Sequence, residues 1–368
     1  MKLLIIARPF VFHGGVERAT AGLIGALVEH GYDVHLLTPR GQYPVPGVTH
    51  HALALPPLPA AARALALAAS ARVAVARGRW DIVQSHERTL RQDVYRAGEG
   101  CHRAYLASVG GGGRGLYHRI ILALERRVFA GTPEIAALAR RGAAEIAGLY
   151  GVPPARVSVV YNGVDLERFH PRNRGAHRAA ARAEAGIPSS AWTVLFMGSG
   201  FERKGLATLV EAFGAFADRR SRLVVIGKGR AGPVRALAAR LGVAERIVWL
   251  GPRADGERWY AAADAVALPS LYEPFGNVHL EALASGVPMV ASAAAGGAEL
   301  IQEGRNGAVV DPRDPTALAR ALERLRDGRT AELQAAARNS AEPFTFAIQA
   351  EGFARIYRRF TRATCDFS

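Results

Sequence analysis

Two glutamates and one basic pair are the residues of this 368-residue chain whose types and spacing best suit chemistry. Glu273 and Glu281 lie eight positions apart in the run Glu273-Pro-Phe-Gly-Asn-Val-His-Leu-Glu281. On one continuous helix they would stand about 12 Å apart along the axis, from a rise of about 1.5 Å per residue. That exceeds the roughly 5 to 9.5 Å of a glycosidase carboxylate pair. Pro274 and Gly276 moreover put Glu273 in the loop before a helix and Glu281 inside it. The pair is therefore better placed to bracket one long ligand than to act as acid and base on one bond. A sugar diphosphonucleoside suits the spacing, because ribose and hexose each offer hydroxyl pairs to a carboxylate and are separated by the diphosphate. The helix start at Gly276, Asn277 and Val278 would meet the phosphates between them. The plainer alternative is that Glu273 caps the helix and Glu281 is an exposed helical residue.

Gly198-Ser199-Gly200 follows an apolar strand and precedes Phe201-Glu202-Arg203-Lys204-Gly205 and an apolar helix. A strand, a glycine turn and a helix make an anion site. Arg203 and Lys204 can neutralise a diphosphate without a metal ion. The alternative here is an ordinary strand-to-helix turn with a solvated basic pair.

The elements that must position these residues alternate along the whole chain. Strand-like runs interleaved with helical periodicity predict parallel sheets with crossover helices. Leu3–Ala7, Asp33–Leu37 and Asp81–Ser85 read as buried strands, and an amphipathic helix over Val16–His30 starts at Gly14-Gly15. The first half closes at a strand Val157–Tyr161 and the turn Asn162-Gly163, and the polar stretch His170–Arg182 reads as a linker. Further strands are expected at Thr193–Met197, Leu223–Ile226, Ile247–Leu250, Ala265–Leu268 and Pro288–Ser292. An apolar and aromatic helical pattern over Thr345–Phe360 predicts a closing helix that crosses back. Gly110–Gly113 reads as a mobile loop. Two domains follow, residues 1–168 with 345–368 crossing back, and residues 169–344.

Composition bounds the function classes. Hydrophobic residues make up 49% and charged residues 21%, which excludes a disordered chain or a membrane bundle. The start MKLLIIARPF is interrupted by Arg8 and Pro9 before a secretory segment of normal length. Only Cys101 and Cys365 occur, too few for a disulfide framework and without metal-ligand spacing, so a reducing cytoplasm is expected and no metal. The net charge is +15, with arginine supplying all but three of the 47 basic residues. Coding bias explains such a charge as readily as attraction to an anionic surface.

On these residues the chain resembles the family 4 glycosyltransferases, retaining enzymes of the GT-B fold. The likeness runs through Gly14-Gly15-Val16-Glu17, Val160-Tyr161-Asn162-Gly163-Val164-Asp165, Arg203-Lys204-Gly205, Glu273 to Glu281 and its continuation to Pro288, and Gly296-Gly297-Ala298-Glu299-Leu300-Ile301. The resemblance implies an α/β architecture of two Rossmann-like domains with a cleft between them and a C-terminal helix crossing back. It implies an N-terminal acceptor domain and a C-terminal donor domain. Arg203 and Lys204 would meet the donor diphosphate, Glu281 the ribose and Glu273 the transferred sugar. Gly15 would face the phosphates from the other domain, Gly198 and Ser199 would lie beside them, and Asn277 and Val278 would hold the distal phosphate and sugar through their backbone. Arg253 would border the nucleobase.

Within the family, Asp93-Val94-Tyr95 with Ala97 and Cys101, and Gly198-Ser199 with Phe201 to Gly205, most resemble the enzymes that add the first glucose to heptose of the lipopolysaccharide core. That group carries an aspartate near the reaction centre where Glu99 stands, which makes Glu99 the leading N-terminal candidate and His102 the second. The implied reaction transfers glucose from UDP-glucose as co-substrate to a phosphorylated glycolipid acceptor, or a hexose to another cell-surface polysaccharide. A sugar-nucleotide epimerase is the competing enzyme class. A nucleic-acid module has no supporting signature beyond charge.

Arg91, Arg96, Arg103, Arg114, Arg119 and Arg126 lie between Arg88 and Arg127, and Tyr117, Ile121, Leu124 and Val128 form one helical stripe there. A basic amphipathic helix can rest on anionic lipid, which predicts peripheral attachment to the inner face of the cytoplasmic membrane. A stripe turned into the core with solvated arginines is the alternative.

Overall fold

A computed structural model describes residues 1–10, 15–110 and 115–365. Two compact units divide it, Met1–Gly163 joined by the chain from Phe346 onward, and Val164–Thr345. Gly14, Gly111 to Gly113 and Arg114, all invoked above, lie outside the described residues.

The first unit holds β1 (Lys2–Ile6), β2 (Asp33–Pro39), β3 (Val48–Leu53), β4 (Ile82–Ser85), β5 (Val94–Arg96), β6 (Glu134–Ala137) and β7 (Val157–Val159). They form one sheet in the order β3-β2-β1-β4-β5-β6-β7, with every pairing parallel. The Leu-Leu-Ile-Ile run of β1 is buried on both faces, as a central parallel strand must be. Helices α1 (Gly15–Glu29), α2 (Ala60–Arg77), α3 (His102–Ser108), α4 (Leu116–Gly131) and α5 (Arg140–Tyr150) supply the crossovers.

The second unit opens with α6 (Asn173–Glu184) and continues through β8 (Thr193–Met197), α7 (Leu206–Ala215), β9 (Arg222–Ile226), α8 (Ala231–Arg240), β10 (Ile247–Gly251) and α9 (Gly256–Ala262). β11 (Ala265–Leu268), α10 (Asn277–Ala284), β12 (Met289–Ser292), β13 (Gly307–Val310), α11 (Pro315–Asp327) and α12 (Thr330–Ala341) complete it. Its sheet runs β10-β9-β8-β11-β12-β13, again parallel. The winding reverses between β8 and β11, and the carboxyl ends of strands at such a reversal are where open α/β sheets bind ligands.

The last helix, α13 (Phe346–Cys365), belongs to the first unit. Its Ala350, Phe353, Ile356 and Tyr357 are buried against Leu3, Ile5, Leu23 and Leu27 of β1 and α1. The 3.6-residue spacing of these apolar positions gives the helix one face that must be covered.

Two readings change. The stretch His170–Arg182 is no linker, because its greater part is α6, packed on α9. Arg174, Arg178 and Arg182 share one helical face and converge on Asp264, at 2.9, 2.7 and 2.7 Å. Their common carboxylate lies 80 to 90 residues ahead in sequence, so local polarity imitates a linker. The apolar stripe of α4 is turned inward: Ile121, Leu124 and Val128 are buried and only Tyr117 is exposed. Arg96 is buried too, so it contributes no surface charge.

Candidate active site

The carboxyl ends of β8 and β11 gather the basic pair and the first glutamate. Gly198 follows β8, and the turn after it closes with a backbone bond from Lys204 to the Gly200 carbonyl. Gly205 ends that turn at φ +71°, where an added β-carbon would lie 1.9 Å from the Pro269 carbonyl oxygen. Only glycine lets the loop after β8 pass so close to the end of β11. The Leu271 amide donates to the Arg203 carbonyl at 2.8 Å and locks the two loops together.

This crossing brings together residues seventy positions apart. Arg203 Nη1 donates to Glu273 Oε2 at 2.9 Å and to the Tyr272 carbonyl at 3.0 Å, and Lys204 Nζ pairs with the same carboxylate oxygen. Glu273 is held in place by a 2.9 Å bond from the Gly296 amide to its carbonyl. Burial alone would raise its pKa, but the nearby Lys204 and Arg203 charges prevail and hold it at about 2. Glu273 is thus ionised and acceptor-only, and two cations are fixed beside it. It precedes α10 and is not its cap; Gly276, at φ +87°, takes that position.

Glu281 sits inside α10, 5% exposed, and accepts from the Tyr260 hydroxyl at 2.8 Å. It is not an exposed helical residue. Asn277 and Val278 form the half-buried first turn of α10. Ser199 Oγ accepts from the Lys228 amide at 3.2 Å, which ties the turn after β8 to the end of β9. Arg253 grips both oxygens of Asp255 at 3.0 and 2.9 Å, pairs with Glu184 at 3.0 Å and lies over the Trp259 ring. It is neutralised by Asp255 of the loop after β10 and by Glu184 at the end of α6.

Three residues near this site escaped the sequence reading. His279 is fully buried, with Nδ1 2.8 Å from the Gly276 carbonyl, and burial lowers its pKa to about 4. Tyr260 orients Glu281. Lys228 stands exposed at the carboxyl end of β9. The Gly227-Lys228-Gly229 run after an apolar strand was the signal available for Lys228; nothing local marked the other two.

In the first unit, Gly15 opens α1 after β1. Glu99, beyond β5, is half-exposed and pairs with Arg8 and, at 2.6 Å, with Arg88. Desolvation opposes its ionisation, yet Arg8 and Arg88 outweigh it and hold the carboxyl at about 2. Arg88 also reaches the buried Glu125 at 3.0 Å, which accepts from the His102 amide at 2.7 Å and from the Tyr150 hydroxyl. Glu125 is the anchor of this cluster, hidden in sequence because it looks like one more polar position of α4. His102 Nε2 lies 3.0 Å from His118 Nδ1, and its pKa is lowered by burial and by Arg88. Among the described residues no three His, Cys, Asp or Glu side chains are grouped as metal ligands.

Residues 13–168 match the model of Glycosyltransferase Family 4, and residues 191–327 match that of Glycosyl transferases group 1. D-inositol 3-phosphate glycosyltransferases of Streptomyces griseus subsp. griseus and Xylanimonas cellulosilytica are each 37% identical, over 58% and 65% of this chain. The chain spans only 51% and 60% of those relatives' own length. The crystal structure of WaaG, a glycosyltransferase involved in lipopolysaccharide biosynthesis, superposes with a TM-score of 0.81 at 24% identity, covering 97% of this chain and 99% of that one. Anabaena HepE in complex with UDP-glucose superposes at 0.77 with 19% identity, covering 98% of this chain and all of that one. These likenesses establish a common fold. With both halves matched by glycosyltransferase models and two parallel Rossmann-like sheets, the chain belongs to the family 4, group 1 glycosyltransferases of GT-B fold.

Proposed function

We propose that the protein is a retaining hexosyltransferase that takes glucose from UDP-glucose and delivers it to a hydroxyl of a phosphorylated polyol or glycolipid. The observation that carries this reading is the pairing of ionised Glu273 with Arg203 and Lys204 at the reversal point of the second sheet. One carboxylate that accepts hydrogen bonds from hydroxyls stands beside two cations that attract a phosphate. Such a set fits a bound sugar next to its leaving diphosphate.

In the proposed reaction the bond between the sugar's anomeric carbon and the acceptor oxygen forms on the face from which the diphosphate departs. The carbon to phosphate-oxygen bond breaks with its electrons going to the diphosphate, and the acceptor proton passes to a diphosphate oxygen. Glu99, held at about 2, is too weak a base to take that proton readily. Its role is to position Arg8 and Arg88. Arg203, Lys204 and the first turn of α10 stabilise the departing phosphate. Glu281 holds the ribose, while Gly198, Ser199, Gly276, Asn277 and Val278 line the donor and Arg253 borders the base. No metal ion is required by this scheme.

For the acceptor, the 37% identical relatives support D-inositol 3-phosphate. The resemblance to lipopolysaccharide core enzymes, with the WaaG fold, supports a phosphorylated core heptose. Attachment to an anionic membrane on the cytoplasmic side is proposed through the outer face of α4, where Leu116, Tyr117, Arg119, Arg126 and Arg127 are exposed. No helix among the described residues is long and apolar enough to cross a membrane.

A thermal-shift panel of uridine, guanosine and adenosine diphosphate sugars tests the donor, followed by transfer assays on both acceptors with the anomeric configuration read by NMR. Stabilisation by UDP-glucose and an α-glucoside product are expected. Isomerised sugar without an acceptor would replace this reading with the epimerase. Retention on phosphatidylglycerol vesicles at low salt, lost when Arg119, Arg126 and Arg127 become glutamate, is the expected membrane result.

A further inference from the structure

Arg96, the last residue of β5, is a buried cation without a counter-charge. It is 3% exposed, and no carboxylate among the described residues pairs with it. Its Nη2 donates to Asn162 Oδ1 at 2.7 Å, and its Nε–H is buried with no partner. The missing side chain of Gly98 makes room for the guanidinium, since a β-carbon there would come within 2.8 Å of Nη1.

A second unused donor lies on the neighbouring strand. The pairing of Gln84 with Val94 and Ser85 with Tyr95 puts His86 next to Arg96 in register, on the same face of the sheet. A chain of bonds fixes the His86 tautomer. Tyr357 Oη donates to Gln84 Oε1 at 2.6 Å, so the Gln84 amide nitrogen faces His86 Nε2 at 2.8 Å and donates to it. Nε2 is then the acceptor and Nδ1 carries the proton, and Nδ1 is buried without a partner. Burial and the Arg96 charge both lower the His86 pKa, which keeps the ring neutral. Burial also pushes the Arg96 pKa down to about 10, leaving it charged at neutral pH.

Every unmet requirement in this cluster is that of a donor. A neutral hydroxyl oxygen, with two lone pairs, could accept from both; only an oxyanion also compensates the buried charge. The location is the carboxyl edge of the first sheet, beside the end of β1 after which α1 opens with Gly15. We propose that Arg96 and His86 form an anion site in the first unit that receives the phosphoryl group of the acceptor. Assigning the anion to the acceptor rests on the transferase reading, whereas the binding of an oxyanion to these residues does not.

The test titrates inorganic phosphate against chloride at matched ionic strength and follows the thermal midpoint of the full chain. Because the donor residues also attract phosphate, wild type, R203Q and the double variant R96Q/R203Q are compared. R203Q should retain a phosphate-specific rise of roughly 3 °C at tenfold excess over the dissociation constant, and the double variant should show none. A second variant, N162D, sets a carboxylate against Arg96 and should abolish the same rise in the R203Q background. No phosphate-specific rise in R203Q, or a rise that persists undiminished in folded R96Q/R203Q or N162D/R203Q, overturns the proposal. Failure of glucose transfer with the phosphate response intact would instead overturn the assigned reaction and leave the anion site standing.

Discussion

Glu273 has two tasks that a substitution can separate. As an acceptor it suits sugar hydroxyls, and as a charge it holds Arg203 and Lys204 in position. Glu273→Gln keeps the shape and loses the charge, so kcat should fall on the order of 100-fold, as for loss of a leaving-group stabiliser, while the folded far-UV signature persists. Unchanged kcat in a steady-state assay would remove Glu273 from the chemistry. Glu281→Gln preserves an acceptor for Tyr260, and calorimetry should find weaker UDP-glucose binding without loss of stability. The same residues set the acid response. Glu273 has its pKa depressed from 4.5 to about 2, so its contribution is complete above about 4.5 and is lost as pH falls towards 2. His279 is kept neutral by burial, with a pKa lowered from 6.5 to about 4. An unfolded chain takes up that proton first, so stability should decline from pH 6.5 down to about 4, by a few kcal/mol in all. In His279→Gln that segment of the denaturation profile should be flatter.

Among the elements, α6 depends on one distant carboxylate. Asp264, just ahead of β11, receives Arg174, Arg178 and Arg182 and also accepts from the Thr193 amide at 2.9 Å, so it ties α6 to the first residue of β8. Arg182 is only 3% exposed, and Asp264→Ala would leave it without this counter-charge. A loss of about 3 kcal/mol is expected, read as a lower urea midpoint at unchanged m-value. This element is also where sequence reading failed most clearly. A polar, arginine-rich stretch between two sheets has the composition of a linker, and only a partner across the fold turns it into a packed helix. The short strands β5, β6 and β13 were missed for a related reason. Each has three or four residues and no alternation long enough to register, and is defined by its parallel neighbours. Edge strand β3, with the polar sequence Val-Thr-His-His-Ala-Leu, carries the mixed burial that hides a strand from hydropathy.

At the scale of the molecule, each unit has its own sheet, and the first is completed by the far end of the chain. Removing residues after Thr345 would strip Phe353, Ile356 and Tyr357 from the first core and break the Tyr357 to Gln84 bond. The truncated chain should expose the first unit to rapid proteolysis while a protease-resistant fragment over Val164–Thr345 survives. That fragment holds Arg203, Lys204, Glu273 and Glu281, and expressed alone it should fold and bind UDP. Equal resistance of both units after truncation would contradict the assignment of α13 to the first core.

The alternation of strands and helices, the glycine turn after β8 and the run from Glu273 to Glu281 were legible in the amino-acid sequence, because periodicity and turn chemistry are local. The position of Glu273 before α10 and of Glu281 within it could be read in the same way from Pro274 and Gly276. The pairing of Glu273 with Arg203 and Lys204 could not, nor could the inward turn of the α4 stripe, the role of Glu125 or the unsatisfied donors of His86 and Arg96. Each depends on which residues of distant strands end side by side. Parallel pairing settles that through long crossovers, and the cations it sets beside Glu273 and Glu99 then keep both carboxylates ionised against the effect of burial.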